Sequence, residues 1–321
     1  MEKQTQTIDK NVAYDKLKKD NAGRIHISFS ELTQFRECGH KHLIEKYLKL
    51  AVSPTSIHLI FGNSIHSALE AGIRDKLDLS ARIMHFKLLF TKEMMDKMSD
   101  TTEIKELDNF ITQGENILKQ ISTEKILEKY DLIGVEMDLY ENLYLNFHFK
   151  GFIDLILRDK ETKRVLIIDY KTSGEIWDVS KKKKDKTFMA QMRLYKYFYA
   201  RKLDEKIENV DCKYIVLNRL KSKKDPSAGF GSIQPVEIQS TEKDIVDAVT
   251  MVAETLRDIH INKNFQKAKL IGNVKNCFFC PYKNNLNLCD SNTEQGKIFL
   301  DEHRERRKKI ANGEMLEPVY K

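Results

Sequence analysis

The stretch VLIIDYKTS, residues 165–173, decides the fold because an apolar strand runs directly into two charged side chains. Val165–Ile168 predict a strand that is buried on both faces. Asp169 and Lys171 are separated by one residue, so their side chains point to the same side of that strand. Burying an unpaired charge costs several kcal/mol, and the strand end therefore needs a compensating partner.

One such partner lies just upstream, in the second apolar strand GFIDLIL (151–157), which a single carboxylate, Asp154, interrupts. If the two strands pair through the short turn at 158–164, Asp154 and Asp169 face one pocket. Two close carboxylates repel each other unless a proton or a cation lies between them, and Mg²⁺ and Mn²⁺ prefer carboxylate oxygens and water. Beside such an ion, Lys171 can orient or deprotonate an attacking water and stabilise the charge that develops on a phosphate.

The alternative is a structural ion pair between Asp169 and Lys171 at a strand end. For an isolated Asp-x-Lys this interpretation is the usual one. It leaves unexplained the carboxylate of Asp154, and also the segment QMRLY, where Gln191 and Tyr195 lie one helical turn apart.

The composition agrees with a soluble globular protein that binds an anionic partner. The 321 residues are 41% hydrophobic and 32% charged, with a net charge of +7 and a pI near 8.9. A basic balance favours nucleic acid, although a merely lysine-rich surface gives the same numbers. No apolar stretch has the length of a membrane span and the N-terminus has no signal-peptide centre, so we expect a cytoplasmic protein with no membrane partner.

Periodicity predicts a helical first half followed by alternating strands and helices. The predicted helices are 27–50, 61–77 (entered through Gly62), several within 80–130, 188–203 and 241–262. The predicted strands are two within 133–158, then 165–171, 212–220 and 233–239.

The order GFID, DYKT, QMRLY resembles the PD-(D/E)XK nuclease superfamily, and specifically its RecB-like branch. The resemblance implies that Asp154 and Asp169 are acidic metal ligands and that Lys171 is the catalytic lysine. It also implies that Gln191 and Tyr195 contact the nucleic-acid strand.

An upstream Gly-x-x-x-His, present here as Gly62 and His66, belongs to the same pattern. By resemblance, His66 and the backbone carbonyl of Tyr170 complete the Mg²⁺ or Mn²⁺ site. Glu70 and Glu136 are weaker candidates for the same pocket.

The resemblance implies an α/β fold with a restriction-endonuclease-like core, a central mixed β-sheet flanked by helices. The expected organisation is a flexible arm (1–26), one nuclease domain (27–292) and a basic tail (293–321). Within the nuclease domain we expect a mainly helical part (27–130), the core (131–262) and a cysteine segment (263–292).

The implied function is a metal-dependent deoxyribonuclease, acting as an exonuclease on single strands or duplex ends in recombination, repair or phage DNA metabolism. The alternative is a catalytically silent DNA-binding relative of the same fold. A helicase or recombination partner and a homo-oligomer are compatible with this function, but no residue pattern specifies either.

Cys277, Cys280 and Cys289 form a cysteine cluster, for which Cys38 is the natural fourth member. Spacing alone leaves Zn²⁺ and an iron–sulfur cluster as alternatives. The RecB-like resemblance, which extends to AddB-type subunits and to the CRISPR-associated nuclease of the same core, implies a [4Fe–4S] cluster that staples the N-terminal helix to the C-terminal segment. Cys212, in a predicted strand, reads as a small buried hydrophobe.

Basic segments flank the predicted site, most clearly KKKKDK (181–186) after the catalytic strand. Such runs are usually solvated faces. Here Lys181, Lys182, Lys183 and Lys184 can also hold phosphates without reading bases, which would make affinity salt-dependent.

Overall fold

The structure is a computed structural model that describes residues 24–47, 49, 53–97, 106–219, 231–268, 272, 274–278, 280–283 and 289. Within these limits the chain divides into two compact units. The larger comprises the described residues of Lys18–Thr33 and Thr55–Asn262. The smaller comprises those of Gln34–Pro54 and Lys263–Lys321.

A six-stranded mixed sheet forms the centre of the larger unit. Its strands are β1 (Ile25–Ser28), β2 (Tyr130–Tyr144), β3 (Phe147–Asp159), β4 (Val165–Ser173), β5 (Val210–Asn218) and β6 (Ser232–Ile238). The strand order is β1-β3-β4-β5-β6, and β2 pairs with β3. The pairs β1–β3 and β4–β5 are parallel, whereas β2–β3, β3–β4 and β5–β6 are antiparallel.

The long strand β3 carries two different partners along one of its edges. Strand β2 follows β3 over nearly its whole length, so β1 and β4 must share the opposite edge. On that edge β1 pairs as far as Lys150, and β4 pairs from Leu155 onward. Gly151–Asp154 therefore have no ladder partner there among the described residues, and a gap in the sheet opens at Asp154.

The turn between β3 and β4 is made by Asp159. Its Oδ1 accepts the backbone N–H groups of Glu161 and Thr162, at 3.0 and 2.9 Å. Lys163 takes the left-handed conformation that a tight turn requires, with φ 61°. The predicted turn at 158–164 is confirmed, because β3 ends at Asp159 and β4 begins at Val165.

The described helices are distributed over the two units. They are α1 (Phe29–Glu37), α2 (Gly39–His42) with a π-helical turn (Leu43–Tyr47), α3 (Ile57–Arg74), α4 (Leu79–Lys97), α5 (Leu107–Leu118), α6 (Thr123–Lys129), α7 (Val179–Lys184), α8 (Lys186–Lys202), α9 (Glu242–Arg257) with a second π-helical turn (Asp258–Asn262), and α10 (Val274–Phe278). A short 3₁₀ turn (Ile207–Asn209) precedes β5.

The apolar core on one side of the sheet packs α3, α4 and α5 against β3 and β4. Phe61, Phe86 and Phe90 are fully buried there, and their rings meet edge to face or stacked at 5.6–5.9 Å between centroids. Helix α3 lies close to β4 because Gly62 has no side chain. A Cβ at that position would meet the Thr172 hydroxyl at 3.0 Å.

The mixed α/β fold and the central sheet are confirmed, and two local predictions are wrong. Residues 27–50 are not one helix, because the alternating IHIS segment pairs with β3 as strand β1 before Ser28 accepts the Glu31 N–H and starts α1. Helix α3 is not entered through Gly62. It begins five residues earlier, where Ser56 caps the helix by accepting the Leu59 N–H at 3.3 Å.

Two predicted segments lie outside the described residues, namely most of the N-terminal arm and the basic tail. The predicted domain boundaries stay predictions. Among the described residues, no helix combines the length and apolarity needed to cross a bilayer.

Candidate active site

Asp154 lies in the gap along β3, where its side chain takes the place of a ladder partner. Its Oδ2 accepts the backbone N–H of Tyr170 on β4 at 2.8 Å. The same oxygen lies 3.4 Å from Nδ1 of His66, which α3 contributes. Tyr170 is the residue between Asp169 and Lys171, so this hydrogen bond joins the two predicted motifs.

His66, Glu70 and Asp154 form a group whose ligand-type atoms all lie within 4.8 Å of one another. His66 and Glu70 are one turn apart on α3 and therefore share a helix face. Burial lowers the pKa of His66 to about 4, so its imidazole is neutral at pH 7 and free to bind a metal. Burial also raises the pKa of Glu70 to about 8, and the neighbouring carboxylates of Glu136 and Asp154 add to the rise.

Asp169 is held by a different set of neighbours. Its Oδ2 lies 2.6 Å from Nζ of Lys171, and its Oδ1 accepts the Gln191 side-chain N–H at 2.9 Å. Burial raises the pKa of Asp169 to about 6, against the opposing effect of Lys171, and the charge of Asp154 adds to the rise. Asp169 is not one of the three residues of the compact group above.

Gln191 and Tyr195, on α8, are both buried, at 8% and 4% exposure. The Gln191 amide also donates to the Tyr195 hydroxyl at 3.1 Å, and its oxygen accepts from the Tyr214 hydroxyl at 3.4 Å. In this structure Gln191 therefore contacts both Asp169 and Tyr195, and its amide fixes the orientation of that carboxylate.

Gly151, the first residue of GFID, has a packing reason to lack a side chain. A Cβ at this position would come within 2.8 Å of the Tyr195 ring. The glycine of one motif therefore makes room for the tyrosine of another, and the close approach of α8 to β3 depends on both.

The residues present fit a divalent cation. Oδ2 of Asp169 is shielded from solvent, and the Lys171 ammonium lies 2.6 Å from it. Burial raises the pKa of Asp154 to about 6, with a further contribution from Glu136. The residues on either side of Glu136 pair with Leu155 and Ile153, which flank Asp154, and Glu136 itself has a left-handed backbone with φ 47°. Crowded carboxylates and local strain at one place are typical of a functional site that a cation completes.

The predicted phosphate-binding lysines form the short helix α7. Asp178 caps this helix by accepting the N–H groups of Ser180 and Lys181. Lys182 lies over the rings of Trp177 and Phe188, with Nζ 4.8 and 5.1 Å from their centroids. Lys181, Lys183 and Lys184 are exposed.

In the smaller unit, Cys38, Cys277, Cys280 and Cys289 all line one cavity of about 190 Å³. Cys38 caps α2, and its sulfur accepts the Lys41 N–H at 3.4 Å. Gly39 follows, and a Cβ there would meet the backbone of Phe265 and Gln266 at 3.0 Å. This close approach explains why residue 39 has no side chain. Cys212, in contrast, is buried in β5, and burial raises the pKa of its thiol to about 12.

Carboxylates clustered with a histidine, beside a lysine that is paired to a further carboxylate, suit metal-dependent hydrolysis of phosphodiester bonds. The chain belongs to the PD-(D/E)XK nuclease superfamily, which it matches over residues 26–285. A solved structure described as "Crystal structure of SSO0001" is 13% identical, with a TM-score of 0.33, covering 78% of this chain and 94% of that one. A search of curated proteins finds no match.

From the sequence, Glu70 is only a weaker candidate for the metal pocket, and Tyr214 is not a candidate at all. The spacing of Glu70 from His66 was visible, but its distance from Asp154 depends on how α3 crosses the sheet. Tyr214 appears in the sequence as one more apolar strand residue, and only the fold places its hydroxyl beside Gln191.

Proposed function

We propose that the protein is a metal-dependent DNA nuclease of the RecB-like branch. The observation that carries the proposal is the meeting of Asp154, Asp169 and Lys171 at the gap between β3 and β4, linked through the Tyr170 N–H. A structural ion pair would need Asp169 and Lys171 only. It would not account for the compact group of His66, Glu70 and Asp154 beside it.

The residues proposed to hold Mg²⁺ or Mn²⁺ are His66, Asp154, Asp169 and the backbone carbonyl of Tyr170, with Glu70 added by its position. When bound, such an ion supplies Lewis-acid activation of water and of the phosphate oxygens. His66 is neutral at pH 7, and the carboxylates supply the oxygen ligands that these hard cations prefer. Asp154 also ties the site to β4 through its hydrogen bond from Tyr170.

Lys171 is the proposed catalytic lysine. The Asp169 carboxylate holds its ammonium group at 2.6 Å, and about a third of the Lys171 side chain is exposed to solvent. From this position Lys171 can orient the attacking water as an ammonium group, and it can deprotonate that water only in its neutral amine form. It can also donate to an oxygen of the phosphate as negative charge develops there.

Gln191 and Tyr195 take the role of positioning residues in this proposal. Gln191 holds Oδ1 of Asp169, which leaves Oδ2 directed at Lys171. Because both side chains are buried, they could contact the nucleic-acid strand directly only if α8 rearranged. The proposed contacts to the DNA backbone are Lys181, Lys182, Lys183 and Lys184 of α7.

We further propose exonuclease action on single strands or duplex ends, in recombination, repair or phage DNA metabolism, where a helicase would supply the unwound strand. The supporting feature is the RecB-like order of motifs. The test is digestion of end-labelled single- and double-stranded DNA, linear and circular, with Mn²⁺. We expect linear DNA to be degraded from an end while closed circles persist. Cleavage of closed circles would contradict the exonuclease assignment, and intact linear DNA under every metal would contradict the nuclease itself.

We also propose that the four cysteines of the smaller unit hold a [4Fe–4S] cluster with a structural role. The supporting observation is that all four residues line one cavity of the smaller unit. Four thiolates suit either Zn²⁺ or an iron–sulfur cluster, and the preference for the cluster follows from the RecB-like order of motifs.

Anaerobically purified protein should therefore be coloured, with a visible absorption band that Cys280→Ser weakens or removes. Cys280→Ser should also lower Tm, because the cluster joins two distant chain segments of the smaller unit. Cys212→Ala is the matched control, since this cysteine lies in β5 of the larger unit, and it should retain the colour. Colourless protein that contains stoichiometric zinc would refute the iron–sulfur proposal.

A further inference from the structure

Arg219 follows β5 directly, at the carboxyl ends of the two parallel strands β4 and β5. Its backbone N–H donates to the Ser173 carbonyl at 2.8 Å, so Arg219 lies beside the last residue of β4. Ligands of open α/β sheets commonly bind beyond the carboxyl ends of parallel strands. The guanidinium therefore lies at the edge of the sheet where substrate would be expected.

The guanidinium is held from two sides. Nη1 donates to the side-chain oxygen of Gln113 at 3.2 Å, and Gln113 is buried, with 2% exposure. The rings of Phe110 and Phe61 lie below the group, with centroids 4.8 and 5.6 Å from Cζ. An amide and two aromatic rings orient this cation without neutralising it.

Arg219 has no carboxylate partner among the described residues, whereas Arg158, Arg164 and Arg193 each form an ion pair. Burial lowers the pKa of the Arg219 guanidinium, and no nearby acid opposes this effect. Holding a partly buried charge without a counter-ion is costly. Such a position is accounted for by an anion that arrives from outside the chain.

The distances suit a nucleic-acid strand that passes through the active site. Ser173 lies two residues beyond Lys171, roughly 7 Å along β4. Phe61 lies five residues before His66, roughly 7.5 Å along α3. A Cβ at position 174 would lie 3.3 Å from Nη2 of Arg219. Because Gly174 has no side chain, this side of the guanidinium is not covered by residue 174. Phosphates along one strand of a duplex recur about every 3.4 Å of helix axis, so a separation of roughly 7 Å corresponds to about two nucleotides.

We propose that Arg219 binds a backbone phosphate of the nucleic-acid strand, about two nucleotides from the bond that is cleaved. This inference rests on the proposed nuclease function and adds a substrate contact to it. An arginine suits the role because its planar fork can donate two parallel hydrogen bonds to one phosphate. The competing interpretation is a purely structural arginine that fills the space above Phe61 and Phe110.

The test is binding of a fluorescent single-stranded oligonucleotide, measured by anisotropy in EDTA, where no divalent ion supports cleavage. Arg219→Gln should raise Kd about tenfold and lower the slope of log K against log salt by about 0.7, the value for one lost phosphate contact. Arg219→Lys should keep most of the slope while raising Kd about threefold. Arg164→Gln is the matched control. It removes the same charge at the opposite end of β4, where Arg164 pairs with Asp211, and should leave both quantities within about twofold.

A second measurement uses the wild-type chain and does not depend on a variant that folds. Phenylglyoxal modifies accessible guanidinium groups, and peptide mass spectrometry reports the extent at each arginine. The oligonucleotide should protect Arg219 several-fold and leave Arg164 unprotected. If wild-type protein binds or cleaves DNA while Arg219→Gln behaves identically and Arg219 is unprotected, only the Arg219 inference fails. If wild-type protein neither binds nor cleaves nucleic acid, the proposed function fails and Arg219 loses its assignment as well.

Discussion

Lys171→Met should lower kcat for phosphodiester cleavage by at least about 10³-fold, while the affinity for oligonucleotide in EDTA changes little. The substitution keeps the length of the side chain but removes the amine that orients water and donates to the phosphate. Positioned proton-transfer groups and charge-stabilising donors each contribute about 10²–10⁴-fold. The measurement is single-turnover cleavage of end-labelled DNA with saturating Mn²⁺, which separates chemistry from binding.

The control for Lys171→Met is Lys213→Met in the neighbouring strand β5. The two lysines are similarly exposed, at 31% and 25%, and each is paired with one carboxylate, Asp169 and Glu237 respectively. Lys213→Met should retain cleavage within about threefold. Circular dichroism must show that both variants are folded, because Lys171→Met leaves Asp169 without its counter-ion. Cleavage by folded Lys171→Met at the wild-type rate would remove the catalytic assignment.

The sequence could predict which residues of the candidate site lie near one another better than it could predict which of them are in direct contact. The prediction that Asp154 and Asp169 lie near each other needed only a short turn between two apolar strands. Such a turn is visible within a few residues of the sequence. The partition into a compact group around Asp154 and a separate Asp169–Lys171 pair depends on where the β3–β4 ladder stops. That point is set by tertiary packing, and no residue pattern within the strands marks it.

The expected contact between Gln191, Tyr195 and nucleic acid illustrates the same limit. Spacing placed the two side chains on one face of a helix, and they do meet. Which way that face turns depends on Gly151, whose missing Cβ lets the Tyr195 ring approach β3. Strand β1 was missed for a related reason. Four alternating residues before a helix cap carry a weak signal, and their pairing partner is more than 100 residues away.

The gap along β3 links the fold to the proposed chemistry. If β4 paired along the whole edge of β3, the Tyr170 N–H would bond to the backbone and Asp154 would point into a closed sheet. Because β1 and β4 take different parts of that edge, a side-chain oxygen can replace a backbone oxygen at this place. Carboxylates that repel each other are then held together by the sheet, which stores unfavourable electrostatic energy that a cation can relieve.

Asp154→Asn should therefore lower activity without lowering the stability of the metal-free protein. Cleavage should fall by at least about 10³-fold, because one metal ligand is weakened. The pKa of Asp154 is raised from 3.8 to about 6, so the folded state binds this proton more tightly than the unfolded chain does. The free energy of unfolding therefore falls as pH rises from about 4 to 6, where the folded state loses the proton. At pH 8 the metal-free variant should thus be as stable as the wild type or more stable, by on the order of 1–2 kcal/mol.

The metal response should change in the opposite direction. A ligand at 100 times its Kd stabilises the folded state by about 2.7 kcal/mol, which corresponds to a rise in Tm of about 5–10 °C for a domain of this size class. Wild-type protein should show this rise with Mn²⁺ at pH 8, and Asp154→Asn should lose most of it. Asp159→Asn is the matched control, because Asp159 lies on the same strand with the same 15% side-chain exposure and also accepts backbone N–H bonds. A full Mn²⁺ response in Asp154→Asn, or an equal loss in Asp159→Asn, would show that the cation binds elsewhere and that the group of His66, Glu70 and Asp154 is not its site.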